Sequence, residues 1–187
     1  QNTFEITIPP KNLKRVKTPI QISNMSFESI LMHNDFALML YEANGANLQR
    51  GAYHFLFSPK NQNISRIRSV NIEYRITDAT KVDESNKFWS INYFWPGDKK
   101  ALDPSKDLIF ENTPKGKSHQ NSNIVERLIE FEIKDNRILL TKNEPIQLVL
   151  NEDSPRNWES IVRFENKGFL IATDKHPRMI LSFVPFN

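Results

Sequence analysis

The segment VERLIEFEIKDNRILLTKNEPIQLVLN, residues 125–151, contains three β-strand signals separated by turns. Its first ten residues place one set of apolar side chains on one parity, namely Val125, Ile129, Phe131 and Ile133. Charged side chains occupy the other parity, namely Glu126, Glu130, Glu132 and Lys134. A period of two is the geometry of a β-strand, so this run predicts a half-buried strand.

The rest of the segment predicts a β-meander. Asp135-Asn136 has the chemistry of a tight turn, residues 137–141 form a second short apolar run, and residues 142–145 form a second turn that ends in Pro145. The third run, IQLVL at residues 146–150, is too short to favour a helix.

The N-terminal part of the chain gives weaker strand signals. TFEITI, residues 3–8, alternates and ends at Pro9-Pro10, which predicts a first strand at a sheet edge. Residues 20–22 could form a further short strand. Residues 27–41 fit either a helix or two strands, and we favour two strands joined around His33-Asn34-Asp35 because this tripeptide suits a turn.

Further runs with strand character follow along the chain. They cover residues 53–57, 70–77, 88–95, 160–165, 168–173 and 178–184. KGKSHQNSN, residues 115–123, has the composition of an exposed loop. About ten short strands without a long amphipathic helix predict an all-β fold, an antiparallel, jelly-roll-like β-sandwich. We expect a single domain over residues 1–187, with residues 1–25 as an N-terminal edge strand and extension.

Composition excludes several classes of protein. The 187 residues include no cysteine, which rules out disulfides, zinc sites built on cysteine and thiol catalysis. The 25 basic and 22 acidic residues are too balanced to predict a nucleic-acid partner. The densest basic run is Lys11, Lys14, Arg15 and Lys17, and we expect it to be solvated. No stretch approaches the length of a membrane-spanning helix.

The order of four motifs resembles a known family pattern. FLFSP, SVNIEYRI, DLIFEN and IEFEIKDNRILLTKNEPIQLVL resemble the β-sandwich modules of secreted Bacteroidetes proteins that accompany a carboxypeptidase regulatory-like domain. One departure is FWSINYFWPG, which replaces a Gly-rich loop of that pattern. The resemblance implies a sandwich fold and an exported location, and the non-Met first residue, Gln1, fits a mature form. It implies no catalytic residue, and the oligomeric state stays open.

Motifs for catalysis, cofactors and metals are not found in the sequence. The four histidines, His33, His54, His119 and His176, lack the spacing of a metal site. Asp98, Asp103, Asp107 and Glu111 could meet Ca²⁺ on a loop, but they do not match an EF-hand and are expected to be solvated. We therefore predict no catalytic residue, no metal and no cofactor.

Aromatic residues are the best candidates for ligand binding. Trp89, Tyr93 and Trp95 share one strand parity, but Ile91 lies in the same row, so Trp89 and Tyr93 are more typical of a core. Trp95 next to a turn and Trp158 between polar neighbours are the residues expected to be exposed, where they could stack on sugar rings.

Three hypotheses about function remain open at this point. The first is an exported, non-catalytic β-sandwich module that binds a glycan or a cell-surface partner. The second is a jelly-roll enzyme acting on glycans, whose carboxylates converge only in the fold. The third is an assembly subunit that exchanges TFEITI as an edge strand.

Overall fold

The computed structural model describes residues 5–151, 155–174 and 178–186. The regular secondary structure of the chain is mostly β-strand, which confirms the predicted all-β fold. The strands are β1 (Phe27–His33), β2 (Phe36–Tyr41), β3 (Tyr53–Ser58), β4 (Asn63–Ser69), β5 (Arg75–Ala79), β6 (Lys87–Phe94), β7 (Val125–Lys134), β8 (Arg137–Leu140), β9 (Ile146–Gln147), β10 (Trp158–Phe164), β11 (Gly168–Thr173) and β12 (Leu181–Pro185). Two short helices, α1 (Lys99–Leu102) and α2 (Leu108–Asn112), lie between β6 and β7. No helix in these three ranges is long and apolar enough to cross a membrane.

Two of the predicted turns have the expected backbone chemistry. Asp135 and Asn136 have φ angles of 50° and 55°, and they join β7 to β8 as a two-residue hairpin turn. Asn34, with φ of 51°, joins β1 to β2. Asn and Asp tolerate this left-handed conformation better than most residues do. The two-strand interpretation of residues 27–41 is therefore confirmed.

The larger sheet contains nine strands, in the order β1-β2-β3-β4-β8-β7-β6-β5, with β9 beside β7. Strands β1 to β4 form one antiparallel meander and β5 to β8 form a second. The two meanders meet where β4 and β8 pair in parallel. β9 pairs with the same edge of β7 as β8 does, so the predicted third strand continues the second after an interruption at residues 141–145.

The larger sheet curls until β1 lies beside β5, which gives it a nearly closed shape. Its inner face holds the first hydrophobic cluster of the molecule. The large members of this cluster include Leu38, Leu56, Ile67, Ile72, Phe88, Phe131 and Ile133. Phe88 and Phe131 are neighbours across β6 and β7, with ring centroids 5.2 Å apart. Ile129, Phe131 and Ile133 of the predicted apolar parity of β7 therefore face this interior, while Val125 belongs to a third cluster.

A second, three-stranded sheet covers the outer face of β6 and β7. It contains β10, β11 and β12, and it contributes Trp158, Ile161, Phe169 and Ile171 to a second hydrophobic cluster. The larger sheet contributes Trp89, Ile91, Tyr93 and Leu128. β7 is therefore buried on both faces over residues 125–131, and the prediction of a half-buried strand is wrong there.

The strand predicted over residues 70–77 is wrong in its first half. Residues 70–74 lie outside any strand, and Tyr74 has φ of 74°, which an extended strand cannot include. Buried Glu73 supports the bend by accepting hydrogen bonds from the backbone N–H groups of Ala46 and Ser105, each at 2.9 Å. A Cβ atom on Gly45 would lie 2.8 Å from the Glu73 carboxylate, so this contact requires glycine.

The predicted first strand is wrong over the described residues, whereas the predicted exposed loop at residues 115–123 is largely exposed apart from His119. Residues 5–8 of the predicted first strand lie in no strand, and Ile6 and Ile8 are exposed; Thr3 and Phe4 lie outside the described residues. In the predicted exposed loop at residues 115–123, His119 is buried against Phe110 and its Nε2 accepts a hydrogen bond from the Glu126 N–H at 3.2 Å. The loop is therefore anchored to the start of β7.

Candidate functional site

The structure separates the four aromatic candidates into a buried group and one exposed residue. Trp89 and Tyr93 are buried in the second hydrophobic cluster, as their shared row with Ile91 suggested. Trp158 is 2% exposed and belongs to the same cluster, so the prediction that it is exposed is wrong. Trp95 is 48% exposed. The predicted platform of Trp95 and Trp158 therefore does not exist.

A buried carboxylate explains why Trp158 turns inward. The indole Nε1–H donates to Oε2 of Glu126 at 2.8 Å, and the Arg156 guanidinium donates to the same oxygen from Nε at 3.0 Å and from Nη2 at 2.6 Å. The Arg156 backbone N–H donates to Oε1 of Glu126 at 2.9 Å. Because the side chain of Glu126 is fully buried, these bonds offset its desolvation and fasten the smaller sheet to β7.

A row of three side chains crosses the larger sheet next to this junction. Arg75 on β5, Tyr93 on β6 and Glu126 on β7 are register partners, so they lie side by side on the outer face. The Arg75 guanidinium carbon lies 5.8 Å from the centre of the Tyr93 ring. The row places Arg75 where the end of β6 and the start of β10 come together.

Three carboxylates from distant parts of the chain converge on Arg75. Its Nε donates a short hydrogen bond to Glu42, while Nη1 lies 3.9 Å from Asp98 Oδ2 and Nη2 lies 3.7 Å from Glu159 Oε1. Nη1 also donates to Asn157 Oδ1 at 3.4 Å. We call these five residues the Arg75 cluster.

Burial controls the electrostatics of the Arg75 cluster. It raises the pKa of Glu42 to about 7, and the Arg75 guanidinium opposes this shift. Burial also raises the pKa of Asp98 and of Glu159, again against the effect of Arg75. One cation thus faces three carboxylates, and the cluster carries a net negative charge whenever Asp98 and Glu159 are ionised.

Trp95 stands beside this cluster on the turn that carries Asp98. The backbone N–H of Asp98 donates to the Trp95 carbonyl at 2.9 Å, which closes the short helical turn Pro96–Asp98. The indole ring lies directly over Gly97, where an added Cβ would come within 2.1 Å of ring atoms. The glycine lets the ring fold back over its own turn while about half of the residue's surface stays open to solvent.

Trp95 and the Arg75 cluster together offer an apolar ring surface and hydrogen-bonding groups. The distances from Arg75 to Asp98 and Glu159 exceed those of a hydrogen bond, and Glu159 Oε1 accepts a short hydrogen bond from the Asn157 side chain, so acceptor positions for a ligand remain on Asp98 and on Glu159 Oε2. Both side chains are about a quarter exposed. Glu42, whose pKa of about 7 suits a general acid, has a fully buried side chain and cannot contact a ligand.

The acidic series considered for Ca²⁺ does not form one site. Asp98 joins the Arg75 cluster, whereas Asp107 caps α2 and its Oδ1 accepts from the buried Arg127 at 3.1 Å. Glu111 pairs with Lys106. Across residues 5–151, 155–174 and 178–186, no group of three or more histidine or acidic side chains is arranged to hold a metal ion.

Nothing in the local sequence around Arg75, Glu159 or Asn157 marks these residues as part of a site. Arg75 and Glu159 are separated along the chain and meet only because the smaller sheet packs on β5 and β6. Comparisons with known proteins add no further residue: no protein-family model matches the chain, and no curated protein is similar enough to count as a relative.

Proposed function

We propose that this protein is an exported, non-catalytic β-sandwich module that binds a neutral glycan at Trp95 and the Arg75 cluster. The observation that carries the proposal is an exposed indole on the same short turn as Asp98, whose partly exposed carboxylate lies beside Arg75 together with that of Glu159. Sugar rings offer C–H faces that pack on aromatic rings, and their hydroxyl groups donate hydrogen bonds to carboxylates.

The charge of the cluster selects among glycans. Three carboxylates around one guanidinium would repel a uronic acid or a sulfated sugar, so an uncharged sugar is the better fit. The exported location is part of the same proposal and is supported only by the resemblance to secreted Bacteroidetes modules.

Binding is favoured over hydrolysis by the position of the carboxylates. A glycoside hydrolase needs an accessible acid and an accessible base or nucleophile on either side of the scissile bond. Here Asp98 and Glu159 face the same guanidinium, and the third carboxylate, Glu42, is sealed beneath it.

The proposal is tested by screening the purified protein against a panel of neutral and acidic polysaccharides. We expect a neutral glycan to bind, and Trp95→Ala to weaken binding by about 1–3 kcal/mol, the range of an aromatic hot spot. Because Trp95 is half exposed, the variant should lose less than about 1 kcal/mol of folding stability. Gly97→Ala should weaken binding as well, since it displaces the ring while keeping the tryptophan.

Phe164→Ala is the matched control, because Phe164 is 44% exposed and lies on the smaller sheet at β10. Equal loss of binding in Trp95→Ala and Phe164→Ala, or no binding of any neutral glycan, would contradict the proposal. Release of reducing sugar that disappears in Asp98→Asn and Glu159→Gln would favour the enzyme hypothesis instead.

A further inference from the structure

A row of basic residues crosses the outer face of the larger sheet on β4, β8 and β7. Arg68 on β4 is the register partner of Arg137 on β8, and Arg137 is the partner of Lys134 on β7. On its other side, Arg68 is the partner of Tyr53 on β3. Register partners point to the same face, so three cations lie side by side across three neighbouring strands.

Arg66 extends this row into a cluster. It lies two residues before Arg68 on the same face of β4, and its guanidinium carbon is 4.2 Å from the centre of the Tyr53 ring. At this distance the Tyr53 ring makes a cation–π contact with the Arg66 guanidinium. Arg66, Arg68 and Arg137 line a shallow depression of about 300 Å³ together with Asp135 and Asn136.

The positive charge in this depression is not balanced by the rest of the described chain. Within those residues, Arg66, Arg68, Arg137 and Lys134 form no ion pair and no side-chain hydrogen bond with a carboxylate. Asp135 is the acidic residue of the lining, so three guanidinium groups face one carboxylate. Like charges directly opposite each other on neighbouring strands destabilise a sheet.

Protection of a sheet edge does not account for Arg68 and Arg137. Charged residues often blunt the exposed edges of sheets. Arg68 and Arg137, however, lie where β4 pairs with β8 and where each residue has a register partner on both sides, whereas Arg66 lies on a part of β4 that pairs with β3 alone. Each guanidinium group presents forked N–H donors, and donors of this geometry bind phosphate and similar oxyanions.

We propose that Arg66, Arg68 and Arg137 form a binding site for a phosphate or sulfate group carried by a small ligand. The Arg68 and Arg137 guanidinium groups donate to its oxygens, and Arg66 closes the site from the Tyr53 side. The site lies on other strands than the glycan site of Trp95 and does not depend on that proposal.

Titration of the ¹⁵N-labelled protein, followed by NMR at the arginine Nε–Hε signals, tests the site. The probes are inorganic phosphate, inorganic sulfate, glucose 6-phosphate and glucose 6-sulfate. We expect saturable shifts of the Arg68 and Arg137 signals, and a loss of affinity of about tenfold or more in Arg68→Gln or Arg137→Gln, which is the value of one charge-assisted hydrogen bond. Tighter binding of the phosphate probes would identify the ligand as a phosphate ester, and tighter binding of the sulfate probes as a sulfate ester.

Arg178→Gln is the matched control, because it removes the same charge from an exposed arginine outside the large sheet. The proposal also predicts that Arg68→Gln is at least as stable as the parent protein without ligand, since the substitution removes like-charge repulsion. Shifts that do not saturate, or an equal loss of affinity in Arg178→Gln, would reduce the cluster to general electrostatic attraction and overturn the proposal.

Discussion

His54 is a buried side chain that must remain neutral to keep its hydrogen bond. Its Nδ1 accepts from the Tyr41 N–H at 3.0 Å. Burial lowers the pKa of His54 from 6.5 to about 4. Between these two pH values the unfolded chain binds a proton that the folded chain does not, so this group makes stability fall as the pH is lowered.

We predict that His54→Asn flattens this pH dependence. The Asn carbonyl oxygen can replace Nδ1 as an acceptor but does not titrate. In urea unfolding between pH 6.5 and pH 4, the parent protein should lose up to about 1.4 kcal/mol per pH unit more than the variant does. Glu42, whose raised pKa acts in the opposite direction, is present in both proteins and cancels in the comparison. Identical slopes would show that His54 is not held neutral.

At the scale of single elements, β7 is central to the fold. It pairs with β6, β8 and β9, and it packs against the smaller sheet. We predict that Phe131→Ala lowers the free energy of unfolding by about 3–5 kcal/mol, since the ring is fully buried against Phe88 and leaves a cavity. Denaturant melts measure this directly. A loss below about 1 kcal/mol would mean that Phe131 does not face the interior.

β7 also shows which structural features could be predicted from the sequence and which could not. The parity of Phe131 and Ile133 identified the inner face correctly, because a period of two is a local property of the chain. The outer face was misread because Leu128 and Glu126 are covered by Trp158 and Arg156, which belong to a later part of the chain. From the sequence alone, a charged residue in a strand is predicted to face solvent, because the distant partner that would allow its burial is not known.

In the candidate site too, local features could be predicted from the sequence and contacts between distant residues could not. An exposed Trp95 was considered from its place beside a Pro-Gly turn, which is local information. Arg75 and Glu159 come from different sheets, and nothing near either residue in the sequence indicates that they meet. Trp158 was misplaced for the related reason that its polar neighbours, Asn157 and Glu159, turn toward the cluster at Arg75.

At the scale of the whole molecule, residues 5–9 belong to none of the hydrophobic clusters. Ile6 and Ile8 are exposed and residues 5–9 belong to no strand. We predict that deleting residues 1–10 changes the free energy of unfolding by less than about 0.5 kcal/mol, as for other surface changes. The mass in solution, measured by light scattering, should also stay the same. A smaller assembly after the deletion would support the hypothesis of an exchanged edge strand.

The smaller sheet exposes apolar side chains on the face that turns away from β6 and β7. These are Val162, Phe164, Leu181 and Phe183. Exposed apolar faces of this kind favour association. Light scattering of the undeleted protein therefore also shows whether it associates with itself. The proposed glycan site lies near the start of β10 and includes none of these four side chains.

Quenching of tryptophan fluorescence by acrylamide tests most directly whether Trp95 is the tryptophan that a ligand covers. Trp89 and Trp158 are 8% and 2% exposed, so quenching of the free protein should come mainly from Trp95, which is 48% exposed. Saturation with a bound neutral glycan should reduce the quenching to the level of a Trp95→Phe variant. Quenching that stays unchanged while the glycan is bound would contradict the account.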